Sequence, residues 1–281
     1  MPPRKPSPVG AHVPGGLGLG YAREVGAEAV QVFVSNPRGW ALSAGEPDRD
    51  EAFRAACTDA RIPVFVHAPY LVNLASPSEA TRERSSITLR HSLDRGRRLG
   101  ARGVVVHAGS AVDTDSRQIG LERLRAGLLP VLDGVGEGPM VLIEPTAGSG
   151  QSVASTVAEL GPVFAALEDH PRLGVCLDTC HAFAAGHDLA TPGGVRQLLN
   201  ALVKTIGRGR LQLVHANDSR DPLGSRRDRH ANIGAGTIGA EPFAELFRHP
   251  ATSGVPVVVE TPGSGAGQSQ DIALLKLLRD R

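Results

Sequence analysis

The tetrapeptide Val104-Val105-Val106-His107 has five counterparts in the chain: Val64-Phe65-Val66-His67, Val141-Leu142-Ile143-Glu144, Val175-Cys176-Leu177-Asp178, Gln212-Leu213-Val214-His215 and Val257-Val258-Val259-Glu260. Each is a short apolar run that closes on a side chain able to bind a metal. A near-continuous β-branched run of about 4–8 residues is the pattern of a strand buried on both faces, as in a parallel sheet. The closing His, Asp or Glu then stands at the strand's carboxyl end. Where such strands close into a barrel, those ends meet at one mouth, where barrel enzymes hold their chemistry. One pattern therefore predicts a fold and a metal site together.

The candidate strands are Pro8–His12, Ala29–Val34, Pro63–His67, Gly103–His107, Met140–Glu144, Leu173–Asp178, Leu211–Ala216 and Pro256–Glu260. Segments of helical periodicity lie between them: Thr81–Leu99, Ser152–Leu167, Val195–Ile206, Glu241–Phe247 and Ile272–Leu278. Repeated strand–helix alternation predicts α/β architecture, a (β/α)8 TIM barrel in a single domain over residues 8–281. Residues 1–7 are expected to form a disordered tail. An open doubly wound sheet competes, but its ligands would gather at a switch point instead of ringing a mouth.

The bulk properties agree. The 281 residues suffice for one α/β barrel, which typically takes about 250. No run approaches the roughly 20 apolar residues of a membrane span. The opening Met1-Pro2-Pro3-Arg4-Lys5 has no secretory apolar stretch. Three cysteines, Cys57, Cys176 and Cys180, suggest no disulfide framework, so a cytoplasmic setting is expected; with no exposed apolar stripe evident, a monomer is expected. A net charge of +1 names no partner and does not exclude a polyanion.

The candidate ligands are His67, His107, Glu144, Asp178, His181, His215, Asp228, His230 and Glu260. One His or Asp at a strand end is more often a satisfied polar residue than a ligand. Six such ends, with His181 three residues past Asp178 and the Asp228-Arg229-His230 pair, reverse that weighting. Imidazole and carboxylate without thiolate suit catalytic zinc, with Mn2+ or Fe as alternatives. One zinc needs about four ligands, so nine imply two or three ions. Paired ions about 4 Å apart are a standard device for attack on a phosphodiester. Cys176 is expected in the core and Cys57 on a buried helix face; Cys180 remains an alternative ligand.

The chain resembles the bacterial endonuclease IV family of apurinic/apyrimidinic endonucleases. The resemblance rests on Val66-His67-Ala68-Pro69-Tyr70-Leu71, Val106-His107-Ala108-Gly109-Ser110, Leu142-Ile143-Glu144, Leu177-Asp178-Thr179-Cys180-His181, His215-Ala216-Asn217-Asp218-Ser219, Asp228-Arg229-His230 and Glu260-Thr261-Pro262. It runs from about Val9 to the carboxyl terminus. It implies up to three zinc ions per chain: one on His67, His107 and Glu144; a second on Glu144, Asp178, His215 and Glu260; a third on His181, Asp228 and His230. It further implies hydrolysis of the phosphodiester 5′ to an abasic site in double-stranded DNA, leaving a 3′-hydroxyl and a 5′-deoxyribose phosphate. Glu144 would bridge two ions, and Glu260 would also orient the attacking hydroxide. Arg38 matches an inserting arginine, Tyr70 and Leu71 a wedge pair, and Arg229, excluded from the ligand cluster by its charge, is expected to face phosphate.

Some positions depart from the family pattern. Pro145 follows Glu144 where Asn is common, which removes an amide from the support of the site. Pro37 and Gly39 flank Arg38, and His187 stands where Tyr is common; a surface-loop role is expected for it. His12 is expected beside the ligands and not among them. Two other functions compete: a divalent-metal sugar isomerase of the xylose-isomerase type, and a damage-binding protein without metals. The isomerase would not need Asp228 and His230, and the binder would not need nine ligands.

Overall fold

A computed structural model describes residues 5–14, 18–112 and 116–281. Among these, eight parallel strands close into a barrel. In chain order the first elements are β1 (Val9–His12), α1 (Leu19–Glu24), β2 (Val30–Phe33), α2 (Pro47–Asp59), β3 (Val64–His67), α3 (Glu79–Arg98) and β4 (Gly103–His107). The middle of the chain gives α4 (Arg117–Gly134), β5 (Met140–Glu144), α5 (Val157–Ala166), β6 (Leu173–Asp178), α6 (Thr179–Ala184), α7 (Gly194–Ile206) and β7 (Leu211–His215). The last are β8 (Asp218–Ser219), β9 (His230–Ala231), α8 (Pro242–Arg248), β10 (Val257–Val259) and α9 (Ala266–Arg279). The barrel order is β1-β10-β7-β6-β5-β4-β3-β2.

All eight expected strands are present, each with both edges within one residue of expectation; Ala216, Pro256 and Glu260 fall just outside their strands. The expected helix at Ser152 begins later: Thr156 and Glu159 form a reciprocal capping box that starts α5 at Val157. The hairpin of β8 and β9, with Ser219 opposite His230, lies inside the loop after β7 and was not foreseen from periodicity. Of the expected tail, residues 1–4 lie outside the described residues. Ser7 is buried and its hydroxyl donates to the Thr252 carbonyl, so packing begins just before Pro8.

Two apolar clusters follow from the period of two along each strand. The larger lies between strands and helices. The smaller, Ala29, Phe65, Val105, Leu142, Cys176, Leu213 and Val258, fills the barrel. In β1 the corresponding position is Gly10, where a Cβ would meet the Ala29 carbonyl oxygen at 1.7 Å, so only glycine fits. Two residues beyond each interior position the side chain again points inward, now at the mouth. That rule selects His12, Gln31, His67, His107, Glu144, Asp178, His215 and Glu260, one from each strand.

Candidate metal centre at the barrel mouth

These strand ends converge. Donor atoms of His67, His107 and Glu144 lie within 4.8 Å of one another, as do those of Glu144, Asp178, His215 and Glu260, and those of Asp178, His181 and His230. Asp228 stands 3.2 Å from His181 Nε2 and 3.1 Å from His230 Nε2. All nine residues singled out as ligands therefore meet in one basin. Glu144 lies between two of the groups: Oε2 faces His67 and Oε1 faces His215.

The histidines are oriented by their second nitrogens. Nδ1 of His67 donates to the Ala68 carbonyl at 2.7 Å, Nδ1 of His181 to the Pro145 carbonyl at 3.1 Å, and Nδ1 of His230 to the Glu260 carbonyl at 3.3 Å. Nε2 of His215 donates to Gln31 Oε1 at 2.9 Å. A carbonyl can only accept, so each ring places its proton there, and the opposite nitrogen turns a lone pair toward carboxylate oxygens. His215 Nδ1 faces Glu144 Oε1 at 3.0 Å, Glu260 Oε2 at 3.3 Å and Asp178 Oδ2 at 3.9 Å. Lone pairs and anionic oxygens at such distances repel unless positive charge lies between them. Nε2 of His181 and of His230 is buried and makes no well-aligned hydrogen bond, although Asp228 is near. The donor set and its geometry fit divalent cations.

The electrostatics point the same way. Burial alone would raise the Glu144 carboxyl, but His215, His181 and His67 hold it well below its ordinary range. Burial opposes protonation of His215, His181 and His230, yet their neighbours outweigh it (Cys176, Glu260 and Glu144 at His215; Asp178 and Asp228 foremost at His181 and His230), and His230 rises to about 9. His107 goes the other way: burial, helped by His67 and His181, takes it to about 4 against the pull of Glu144, so its ring is neutral.

The local chain explains how the loop-borne ligands arrive. Asp178 ends β6 and its Oδ1 accepts the His181 backbone N–H, capping α6 and setting His181 one tight turn away. Asp218, fully buried, accepts the backbone N–H groups of Ser219, Gly234, Gly236, Ile238 and Gly239, and so ties the loop that carries Asp228 and His230. Asn217 donates to Asp178 Oδ2 at 2.7 Å and accepts the Glu260 N–H at 2.9 Å. At Pro145 the backbone carbonyl still holds His181, and the side-chain amide that reaches Asp178 and Glu260 comes from Asn217, just after β7. Gln31, Asn217 and Asp218 were missed from sequence.

At the rim, Tyr70 is 48% exposed and Leu71 is exposed beside it. The Tyr70 ring stands edge-on to Phe33 at 5.3 Å and to His67 at 5.4 Å. Its backbone N–H donates to the Pro37 carbonyl, which joins it to the turn bearing the exposed Arg38. The Arg229 guanidinium pairs with Asp221, a partner the sequence did not indicate. His187 Nε2 accepts the Val157 N–H at the start of α5. His12 contacts Glu260 Oε1 at 3.0 Å, outside the ligand groups. A cavity of about 720 Å³, lined by His12, Phe33, Asn36, Tyr70, Glu260 and Gln268 among others, opens beside Glu260. No described helix is long and apolar enough to cross a membrane.

The comparisons with known proteins agree with this geometry. A family-wide sequence profile described as xylose isomerase-like TIM barrel matches residues 19–278, which sets the class. Within it, the chain is 58% identical to the probable endonuclease 4 of Streptomyces coelicolor, over 98% of this chain and 96% of the relative. It is 37% identical to the probable endonuclease 4 of Halothermothrix orenii, over 92% of each. The crystal structure of endonuclease IV from Thermus thermophilus superposes with a TM-score of 0.83 at 33% identity, covering 99% of each chain. The chain belongs to the endonuclease IV family; it is an enzyme of the AP endonuclease class. The E. coli 3-keto-D-glucoside 4-epimerase, at 17% identity and a TM-score of 0.70, covering 98% of this chain and 100% of its own, shares the fold alone.

Proposed function

We propose that this enzyme uses zinc to hydrolyse the phosphodiester 5′ to an abasic site in duplex DNA, leaving a 3′-hydroxyl and a 5′-deoxyribose phosphate. The observation that carries the metal reading is the set of histidines whose protons are tied to carbonyls while their lone pairs converge on carboxylates. His67, His107 and Glu144 would hold one ion, Glu144, Asp178, His215 and Glu260 a second, and His181, Asp228 and His230 a third, with Mn2+ accepted in part. When bound, the cations supply Lewis acidity to the phosphoryl oxygens and make water acidic enough to attack near neutral pH.

The chain's own groups position the reactants. Burial would raise the Glu260 carboxyl, but His215 and the hydrogen bond with His12 pull it below the carboxylate range. Ionised Glu260 can therefore accept a hydrogen bond from the attacking water and aim it. Glu144 is held ionised between two ligand groups. Tyr70 and Leu71 would wedge into the duplex so that the abasic nucleotide leaves the stack, which costs least where a base is already missing. The Tyr70 hydroxyl is pushed up to about 12, mainly by burial, with Glu260 and Glu144 adding to it. It stays protonated and donates. Arg38 would fill the gap from the rim, and Arg229, its pair with Asp221 holding the loop, would offer its exposed edge to phosphate.

A duplex with one tetrahydrofuran abasic analogue tests the reading. Incision on its 5′ side, abolished by prolonged EDTA, is expected. Shifted but uncut DNA would show a binding protein, and turnover of a ketose would show an isomerase. We place the enzyme in the cytoplasm as a monomer; its three cysteines are buried and unpaired, as in a reducing compartment. Sedimentation of the DNA-free protein tests the monomer.

A further inference from the structure

Gln31 lies inside an apolar run, not at its end, and its side chain is fully buried at the mouth. Its Oε1 accepts from His215 Nε2 at 2.9 Å, and its Nε2 donates to Glu260 Oε1 at 2.7 Å while lying 2.8 Å from His12 Nδ1. An amide has two unlike ends, so one orientation satisfies both neighbours. Turned over, its NH2 would meet the His215 N–H and its carbonyl would meet the Glu260 carboxylate.

We propose that Gln31 is a positioning residue that fixes the proton of His215 on Nε2 and the rotamer of Glu260, and so sets the zinc affinity of the Glu144, Asp178, His215 and Glu260 group. The proposal rests on reading that group as a metal site. With its proton on Nε2, His215 keeps Nδ1 free toward Glu144, Glu260 and Asp178. With the proton on Nδ1 instead, the ring would present a hydrogen where a ligand lone pair is required. Gln31 acts on Glu260 through the other end of the same amide. Gln31 donates to Oε1, with His12 Nδ1 3.0 Å from the same oxygen, so Oε2 is the oxygen that faces His215. One side chain thus couples two ligands of one group and touches neither of the others. Outer hydrogen-bond partners of this kind are worth about 10–100-fold in metal affinity.

The test uses zinc itself. Purified chain and variants are loaded with zinc and stripped with graded chelator, zinc is counted by elemental analysis, and imidazole ¹⁵N signals report the His215 tautomer. Gln31→Met, near in volume, is expected to release one zinc per chain at about 10–100-fold lower chelator strength, to keep the others, and to change the His215 ring signals. Gln31→Glu keeps an acceptor for His215 but sets an anion against Glu260. It is expected to keep the His215 signals and still release that zinc early, and it carries the test if the Met variant does not fold. Wild-type zinc retention and unchanged His215 signals in Gln31→Met would overturn the proposal while the metal reading stands. A wild-type chain that takes up no zinc would overturn both.

Discussion

Two kinds of ligand meet at the mouth, and they are held differently. His67, Glu144, Asp178 and His215 stand on strands, almost wholly buried, with side chains fixed by the barrel's own alternation. Asp228 stands on the long loop after β7, and its side chain is 51% exposed. Its neighbour His230 is held by the short β8–β9 hairpin and by Asp218. The strand-borne groups need no local device beyond the period of two. The loop-borne pair needs a buried carboxylate that gathers five backbone N–H groups. Placement at the first two groups thus comes from the barrel itself, whereas Asp228 and His230 are placed by hydrogen bonds within a loop.

The comparison predicts a graded response to mutation. The largest effect is expected at the strand-borne end. Glu260→Gln should fold normally and slow incision of abasic duplex at least 100-fold, about 2.7 kcal/mol in the barrier, because an ionised oxygen facing His215 is lost. Near-wild-type incision rates in single turnover would remove Glu260 from the chemistry. At the loop, Asp228→Asn should weaken retention of one zinc about 10–100-fold, leaving the other two. Elemental analysis after graded chelation reads this directly. In the unmutated chain the same titration should strip one ion before the others; simultaneous loss of all three would erase the distinction between loop and strand.

The same contrast explains what was legible in the sequence. A strand end is readable because a barrel-interior residue and a mouth residue lie two apart, as in Val105 and His107 or Leu142 and Glu144. Six of the eight positions that the alternation selects are polar residues at the ends of apolar runs. His12, at the end of the first strand, is expected beside the ligands, and it stands 3.0 Å from Glu260 Oε1. Gln31 was passed over because it interrupts a run, though its spacing from Ala29 marks it as inward. The loop ligands obey no period. Asp228 and His230 were reached through the Asp-Arg-His motif alone, and the hairpin and the Asp218 anchor that place them consist of long-range bonds with no local pattern. Arg229 shows the limit of a charge argument. Repulsion from cations says where the guanidinium cannot go, but the choice of Asp221 depends on loop geometry.

A smaller effect is expected at the rim. Tyr70 is half exposed and supports His67 by an edge contact, not by a ligand bond. Tyr70→Ala should weaken binding to abasic duplex about tenfold, near 1.4 kcal/mol, with zinc content unchanged. Fluorescence anisotropy and elemental analysis on the same preparation separate the two. Loss of zinc in this variant would make Tyr70 part of the centre's support and not a DNA wedge.

The smallest effect is expected at Cys180, which lies beside the loop ligands. Cys180 Sγ lies with Asp228 and His230 close enough to share an ion. Burial, with Asp178 nearby, pushes its thiol up to about 12, and the thiol donates to the Arg229 carbonyl at 3.7 Å. Cys176, inside the barrel, is also raised to about 12, and Cys57 to about 11, in each case mainly by burial. Burial disfavours the thiolate, so these groups stay neutral below those values and become nucleophilic only as pH rises toward them. At pH 8 the thiolate fraction at Cys180 is then on the order of one in ten thousand. Native protein should resist a thiol-specific disulfide reagent at pH 8 and label fully only when unfolded. Cys180→Ser should hold as much zinc as the unmutated chain under the same chelator. A variant that loses one zinc would show that the third group closes on a thiolate, and the contrast between an exposed loop carboxylate and buried strand ligands would no longer describe the centre.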